Sequence, residues 1–326
     1  MSKYWPLIKV LPIKTNFRFV AFSRLAAIVS AVAVVVSLGF TLFPFEPPCA
    51  GLSCGIDFKG GTLLEISTAP KAVDLGLARA TLEAQNLGDV QVQAFGEPTT
   101  AMIRFQTPDG LQPAVAVDKV KTALVEALGP VTFQRADVVG PKVSGELFLN
   151  SLISLGLAML LVMAYIWLRF DFQFGVGAVL SLFHDAILTL GVFSFFRIEF
   201  TLPVIAALLT VIGYSMNDTV VVFDRMRENF RKYKQMPPGE VIDLSINETL
   251  SRTLMTIGTV LIASLALYVW GGETMRAFAI CMLFGTVVAT YSSIYIAAPA
   301  LPMFGDRPGR PTKPKSGLMA RGAASE

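Results

Sequence analysis

ALLTVIGYSMNDTVVVFDR occupies residues 207–225. Most of it is apolar enough to lie in lipid, yet Asn217 and Asp218 stand side by side near its end, with Asp224 and Arg225 just beyond. A carboxylate within a membrane span costs about 2.5–3.5 kcal/mol on insertion scales and is usually kept for function. The stretch therefore reads as a membrane span with a polar group that needs a reason. The whole chain agrees: 53% of its 326 residues are hydrophobic and only 16% are charged, against roughly 25% charged in soluble domains. The mean hydropathy is +0.60. An integral membrane protein is expected.

A helix needs about 20 mostly apolar residues to cross the hydrocarbon core. Six stretches qualify: residues 24–43, 148–168, 174–196, 200–223, 253–270 and 277–304. The first apolar run is longer than the roughly 7–15 residues of a signal-peptide core, so it reads as a retained span. Basic residues in short loops orient such spans. Lys3, Lys9, Lys14, Arg18 and Arg24 precede the first; Arg225, Arg227, Arg231, Lys232, Lys234 and Arg252 lie between the fourth and fifth. Arg307, Arg310, Lys313, Lys315 and Arg321 follow the last, whereas the opposite short loops hold only Arg197 and Arg276. This places residues 1–23, the loop 224–252 and the tail 305–326 in the cytoplasm. Residues 44–147 fall on the other side, which would be the periplasm if the membrane is the inner membrane of a Gram-negative bacterium.

That long segment is patterned as a folded domain. Strand character at 57–67, helical spacing at 72–87, alternation at 90–95, a strand at 100–106, a helix at 114–128 and a strand at 131–140 follow in order. The fold class expected is a polytopic α-helical membrane protein, with six transmembrane helices and one ferredoxin-like α+β periplasmic domain between the first two. Of the three cysteines, Cys49 and Cys54 would be either a disulfide or two free thiols in a loop. Cys281 reads as a buried thiol. No metal-ligand spacing occurs, so no metal is expected.

Asp218 lies about 9 Å inside its span at 1.5 Å per residue, too deep for its short side chain to reach water. Two readings stay open: a carboxylate that takes up and releases a proton, or a hydrogen bond that glues helices. Asn217 carries the same ambiguity. Arg252, in "NETLSRTLMT", is a candidate cation for Asp218 or an ordinary anchor. His184 and Asp185 sit mid-span but are helix neighbours pointing about 100° apart, so they should not pair by themselves. Asp185 is the stronger candidate and His184 the weaker, together with Asp224 at the span's edge. "FKGG" at 58–61 lacks the features of a phosphate loop, and its glycines suit a tight turn or close backbone approach. No nucleotide site or nucleophile motif is present, and no nucleic-acid partner is expected. The chain reads as a non-enzyme whose energy comes from a partner or an ion gradient.

"GIDFKGGTLLEI" (55–66), "VVGPKVSGEL" (138–147), "FHDAILTLG" (183–191), "IGYSMNDTVVVFDRMREN" (212–229) and "NETLSRTLMT" (247–256) occur in this order. Together they resemble the SecF subunits of the SecD/SecF family of bacterial protein-export proteins, from the first span to the sixth. The resemblance implies pairing with SecD in a twelve-span pseudo-symmetric assembly related to the resistance–nodulation–division transporters. It implies association with the SecYEG channel, with SecA, often with YajC, with unfolded preprotein and with membrane lipid. It implies no cofactor, with protons as the coupling ion that drives late preprotein translocation. Asp218 and Arg252 match the family's proton-path residues, and Gly55, Asp57, Phe58, Gly60 and Gly61 its motif in the periplasmic domain. Two rival functions remain, half of a proton-coupled small-molecule exporter and a purely structural stabiliser of SecD and the channel.

Overall fold

The structure, a computed structural model, describes residues 15–45, 49–85, 87, 90–107 and 111–301. Most of the N-terminal segment and the whole tail 305–326 lie outside the described residues, as do positions 302–304 of the sixth expected span. Helix α1 (Phe19–Leu42) leads to a short helical turn, α2 (Ile56–Lys59). Then come β1 (Gly61–Ser67), α3 (Leu75–Glu83), β2 (Gln91–Phe95), β3 (Glu97–Phe105), α4 (Pro113–Leu128) and β4 (Thr132–Val139). The long helices α5 (Pro141–Arg169), α6 (Phe172–Phe195), α7 (Leu202–Lys232), α8 (Pro238–Trp270) and α9 (Glu273–Ser292) follow. A π-helical segment (Ser293–Ala297) and the short α10 (Ala298–Ala300) close the described chain.

The strands form one antiparallel sheet in the order β2-β3-β1-β4, which is the ferredoxin-like arrangement. Leu64 of β1 faces Ile103 of β3 and Ala136 of β4. Leu64, Ile66, Ile103 and Phe105 alternate onto one face and pack with Leu82 of α3 and with Val120 and Leu124 of α4. That core is separate from the helical one. The strand expected from residue 57 begins only at Gly61, because 56–59 coil into α2.

Among the described residues, six helices are long and apolar enough to cross a membrane. Their surroundings differ. In the most apolar windows of α6, α7 and α9 the buried share is 56%, against 17% for α8 and 6% for α1 and α5. The first three are thus central and the rest lie outside them. Phe174 of α6 and Phe223 of α7 meet edge to face with centroids 5.0 Å apart, and Phe170 touches both.

The expected loop 224–252 is a correction. It is helical apart from the turn at 233–237, since α7 continues to Lys232 and α8 starts at Pro238. With 31 residues α7 is about 46 Å long, well over the roughly 30 Å hydrocarbon thickness. The charged residues that ended the apolar pattern cross-link the two extensions instead of breaking them. Arg225 bonds Glu248 at 2.7 Å and Glu228 at 2.5 Å, and Asn229 donates to Glu248 at 2.7 Å. The α8 extension also caps α1: Asp243 accepts from the Val20 amide and Asn247 from the Phe17 amide, each at 2.9 Å.

Candidate functional site

Asp218 sits near the middle of α7 and is 6% exposed. One carboxylate oxygen accepts from the Thr253 hydroxyl of α8 at 2.6 Å, and the other from the Ser293 hydroxyl at 2.9 Å. Asp185 on α6 is 1% exposed. It accepts from Ser215 of α7 at 2.6 Å and from Ser292 of α9 at 2.8 Å. Ser181, one turn earlier on α6, donates to Ser292 at 2.8 Å. Consecutive residues on a helix point about 100° apart, so Ser292 reaches α6 while Ser293 reaches α7. The two buried acids are therefore tied to adjacent residues, immediately at the start of the π-helical segment. Such bulges recur at functional sites.

Each of these serines has one proton and two acceptors in reach. Ser293 can donate to Asp218 or to the Thr290 carbonyl at 3.0 Å. Ser292 can donate to Asp185 or to the Ala289 carbonyl at 3.0 Å. A charged carboxylate only accepts, whereas a protonated one must donate. The hydroxyl can turn to its carbonyl when the acid is protonated, so both states of either acid can be satisfied without a buried polar group being orphaned. Ordinary sequence reading missed Thr253, Ser215, Ser181, Ser292 and Ser293. Hydroxyls are common in spans, and the one available signal was the consecutive Ser292–Ser293 pair.

The other candidates lie elsewhere, and the expectation that His184 and Asp185 do not pair is corrected. Arg252 does not pair with Asp218. It is exposed, and its neighbour Thr253 takes the inward position; among the described residues Arg252 has no carboxylate partner. Asn217 is exposed as well, rotated away from the Asp218 site. His184 and Asp185 do pair, with His184 Nδ1 3.0 Å from Asp185 Oδ1. The 100° between their Cβ directions is bridged by the His184 imidazole, whose Nδ1 lies within reach of the adjacent carboxylate. His184 also stacks on Tyr291, whose hydroxyl lies 2.9 Å from Ser30 of α1. Asp224 is an ion-pair partner of Arg169 at the end of α5, at 3.1 Å.

The glycine-rich motif forms a second feature, at the far end of α7. Asp57 accepts from the Leu202 amide at 2.8 Å. Thr201, at the N-cap position of α7, makes no capping bond with its own side chain, so a carboxylate 145 residues away in sequence takes that role. The Gly55 amide donates to the Phe200 carbonyl at 2.9 Å, and the Phe200 amide to the Ser53 carbonyl at 2.7 Å. Phe58 packs against Phe148 of α5 and Phe200, centroids 5.8 Å away in both cases. Gly55 permits the approach: a Cβ there would lie 2.6 Å from Glu199 Oε1 and 2.9 Å from Thr201 Cγ2. Gly60 ends α2 at φ +73, and Gly61 opens β1 at φ +115, both left-handed values that favour glycine. Arg104 of β3 pairs with Glu199. Cys49 and Cys54 are joined as a disulfide next to this junction, and Cys281 is a buried free thiol. The sheet domain is thus fixed to the start of the helix that carries Asp218.

The chain was then compared with known proteins. The family model described as protein export membrane protein SecD/SecF, C-terminal, matches residues 119–307, which include every residue of the hydroxyl–carboxylate network on α6 to α9. A protein translocase subunit SecF of Cereibacter sphaeroides is 42% identical over 94% of this chain and 95% of that protein. Its counterpart in Rhodobacter capsulatus is 42% identical over 97% of each. A crystal structure of SecDF from Thermus, titled as a translocon-associated membrane protein, superposes with a TM-score of 0.79 at 30% identity. It covers 92% of this chain, which spans 40% of that longer one. A SecDF structure in a super-membrane-facing form gives a TM-score of 0.60 at 30% identity. By sequence along nearly its whole length and by fold, the chain belongs to the SecF branch of the SecD/SecF family of protein-export membrane proteins.

Proposed function

We propose that this chain acts with SecD at the SecYEG channel, using the proton-motive force to drive late preprotein translocation after SecA has begun it. YajC is a further expected neighbour. In this reading the protein is a bacterial inner-membrane subunit with cytoplasmic termini and a periplasmic sheet domain, and it hydrolyses no nucleotide itself. The observation that carries the proposal is Asp218, a carboxylate buried mid-span, held by two hydroxyls rather than a cation. Protonation removes a charge, lets Ser293 turn to Thr290, and changes what α7 presents to α8 and α9. Asp185 responds through the adjacent Ser292. Because the start of α7 is bonded to the sheet domain at Asp57, a shift of the helix moves the domain that meets the emerging chain. Exposed Arg252 and Asn217 lie on the side left for SecD, which would complete the proton path.

One charge crossing the membrane is worth about 2.3 kcal/mol per 100 mV. A gradient of about 150–200 mV gives roughly 3.5–4.6 kcal/mol per proton, and inverting a 1:99 equilibrium takes about 5.5 kcal/mol. One or two protons per stroke suffice. The test is preprotein translocation into inverted vesicles containing SecD, with wild type and Asp218→Asn compared under an imposed proton gradient. Stimulation of the wild type alone is expected. Equal responses would make Asp218 helix glue, and the chain a structural partner.

A further inference from the structure

We infer that a groove at the basic end of α7 binds the phosphate of an anionic phospholipid. The groove has a volume of about 570 Å³ and is lined by Arg169, Asp224, Arg227, Glu228, Arg231 and Lys232. Its two acids are already engaged. Asp224 neutralises Arg169 at 3.1 Å, and Glu228 is turned to Arg225 at 2.5 Å. Among the described residues Arg227 and Arg231 have no carboxylate at ion-pair distance, and Lys232 feels Glu248 only at longer range. Arg227 is held in place: Nη1 donates to the Arg169 carbonyl at 3.3 Å, and its guanidinium lies over the Phe170 ring. The Arg169 guanidinium lies over the same ring, 5.1 Å from its centroid. Asp224 balances Arg169, whereas the Arg227 guanidinium on the same ring has no carboxylate at ion-pair distance among the described residues and is left for an anion in the groove. The last-turn carbonyls of α7 oppose an anion, and Arg231 and Lys232 in that turn offset them.

The position selects a lipid over a free phosphate. Tyr165, Trp167, Leu168 and Phe172, which flank Arg169 and Phe170, are 54–90% exposed, the aromatic rim expected where hydrocarbon meets headgroups. Beyond Asp224, α7 continues eight residues to Lys232, about 12 Å, so the cations stand at headgroup depth above that apolar wall. A phosphodiester with acyl chains matches both surfaces, whereas inorganic phosphate or a soluble phosphate ester matches only the cations. Basic recesses at the ends of spans are suited to such headgroups.

The experiment is native mass spectrometry of the full-length chain, titrated with phosphatidylglycerol, phosphatidylcholine or glycerol 3-phosphate. The variant is Arg227→Gln/Arg231→Gln/Lys232→Gln, and the charge-matched control is Lys71→Gln/Lys119→Gln/Lys121→Gln on the sheet domain. Wild type and control should retain phosphatidylglycerol over phosphatidylcholine. The variant should lose roughly fivefold per cation, on the order of a hundredfold in all, and glycerol 3-phosphate should not compete. Equal retention of the two lipids, or an unaffected variant, overturns the proposal. Full competition by glycerol 3-phosphate replaces it with a soluble-phosphate site. Salt supplies a measurement on the wild type alone, independent of how the variant folds. Raising ionic strength from about 0.1 M to 1 M shortens the screening length from about 10 Å to 3 Å and should erase the lipid preference; a preference that survives refutes the electrostatic origin.

Discussion

Replacing Asp57 by Ala should uncouple the sheet domain from α7 without touching the buried acids. Asp57 is the acceptor for the Leu202 amide at 2.8 Å, in place of a cap that Thr201 does not supply. Loss of an N-cap acceptor costs about 1 kcal/mol, and loss of a negative charge at a helix N-terminus adds about 0.3–1 kcal/mol. A total of about 1.3–2 kcal/mol is roughly a 10- to 30-fold change in the opening of this junction. Hydrogen exchange of the chain reconstituted with its partner reads it directly. Amides at Phe200 and Leu202, and that of Gly55 on the opposite side, should exchange about 10- to 30-fold faster. Those around Asp218, about 24 Å along the helix, should not change. Asp57→Asn keeps a neutral acceptor and should fall between. In the translocation assay Asp57→Ala should lose most gradient stimulation while proton uptake at Asp218 persists. Unchanged exchange at Leu202 and Phe200 would refute the argument, because the carboxylate would then contribute nothing and Phe58 packing alone would hold the domain.

Gly55→Ala should loosen the same junction by another route, since its Cβ would press on Glu199 and Thr201; it should reproduce the exchange pattern of Asp57→Ala, and normal exchange there would show that the loop absorbs a methyl group. Ser293→Ala removes one of the two hydroxyls on Asp218 and should destabilise the folded chain by about 1.5–3 kcal/mol at a pH where the acid is charged. Asp218→Asn combined with Ser293→Ala should cost less than the sum, a non-additivity that a double-mutant cycle in thermal unfolding would detect. Cys49 and Cys54 should react with an alkylating reagent only after reduction, and Cys281 only after denaturation; ready labelling of Cys49 in the unreduced chain would contradict the pairing.

The six spans and the sheet domain were legible because their signals are long and redundant. A run of apolar residues remains a span whichever neighbours it finds, and alternation over 57–140 allowed few arrangements of four strands and two helices. The carboxylates were legible for a related reason, as each is an expensive departure from an apolar background. Their partners were not. Thr253 and Ser293 are hydroxyls among many, and only the packing of α8 and α9 on α7 decides which of them meet Asp218. The extension of α7 and α8 past their apolar stretches was hidden because charge ended the apolar pattern, although Arg225, Asn229 and Glu248 use polar and charged groups to hold the helices together.

Arg252 shows where single-chain reading reaches its boundary. Its position at the entry to the fifth span, on the same side as Asp218, suggested a partner for that acid, but helical geometry allows only one of Arg252 and Thr253 to face inward. The hydroxyl took that place and the guanidinium was left on the surface of α8; Asn217 on α7 is exposed as well. An arginine on the outside of a membrane helix is costly against lipid, while hydroxyls already satisfy the inward acid. The two exposed polar groups therefore fit a neighbouring protein surface better than hydrocarbon. In the mechanism proposed above, the buried acid belongs to this chain and Arg252 would act on it across a contact with SecD.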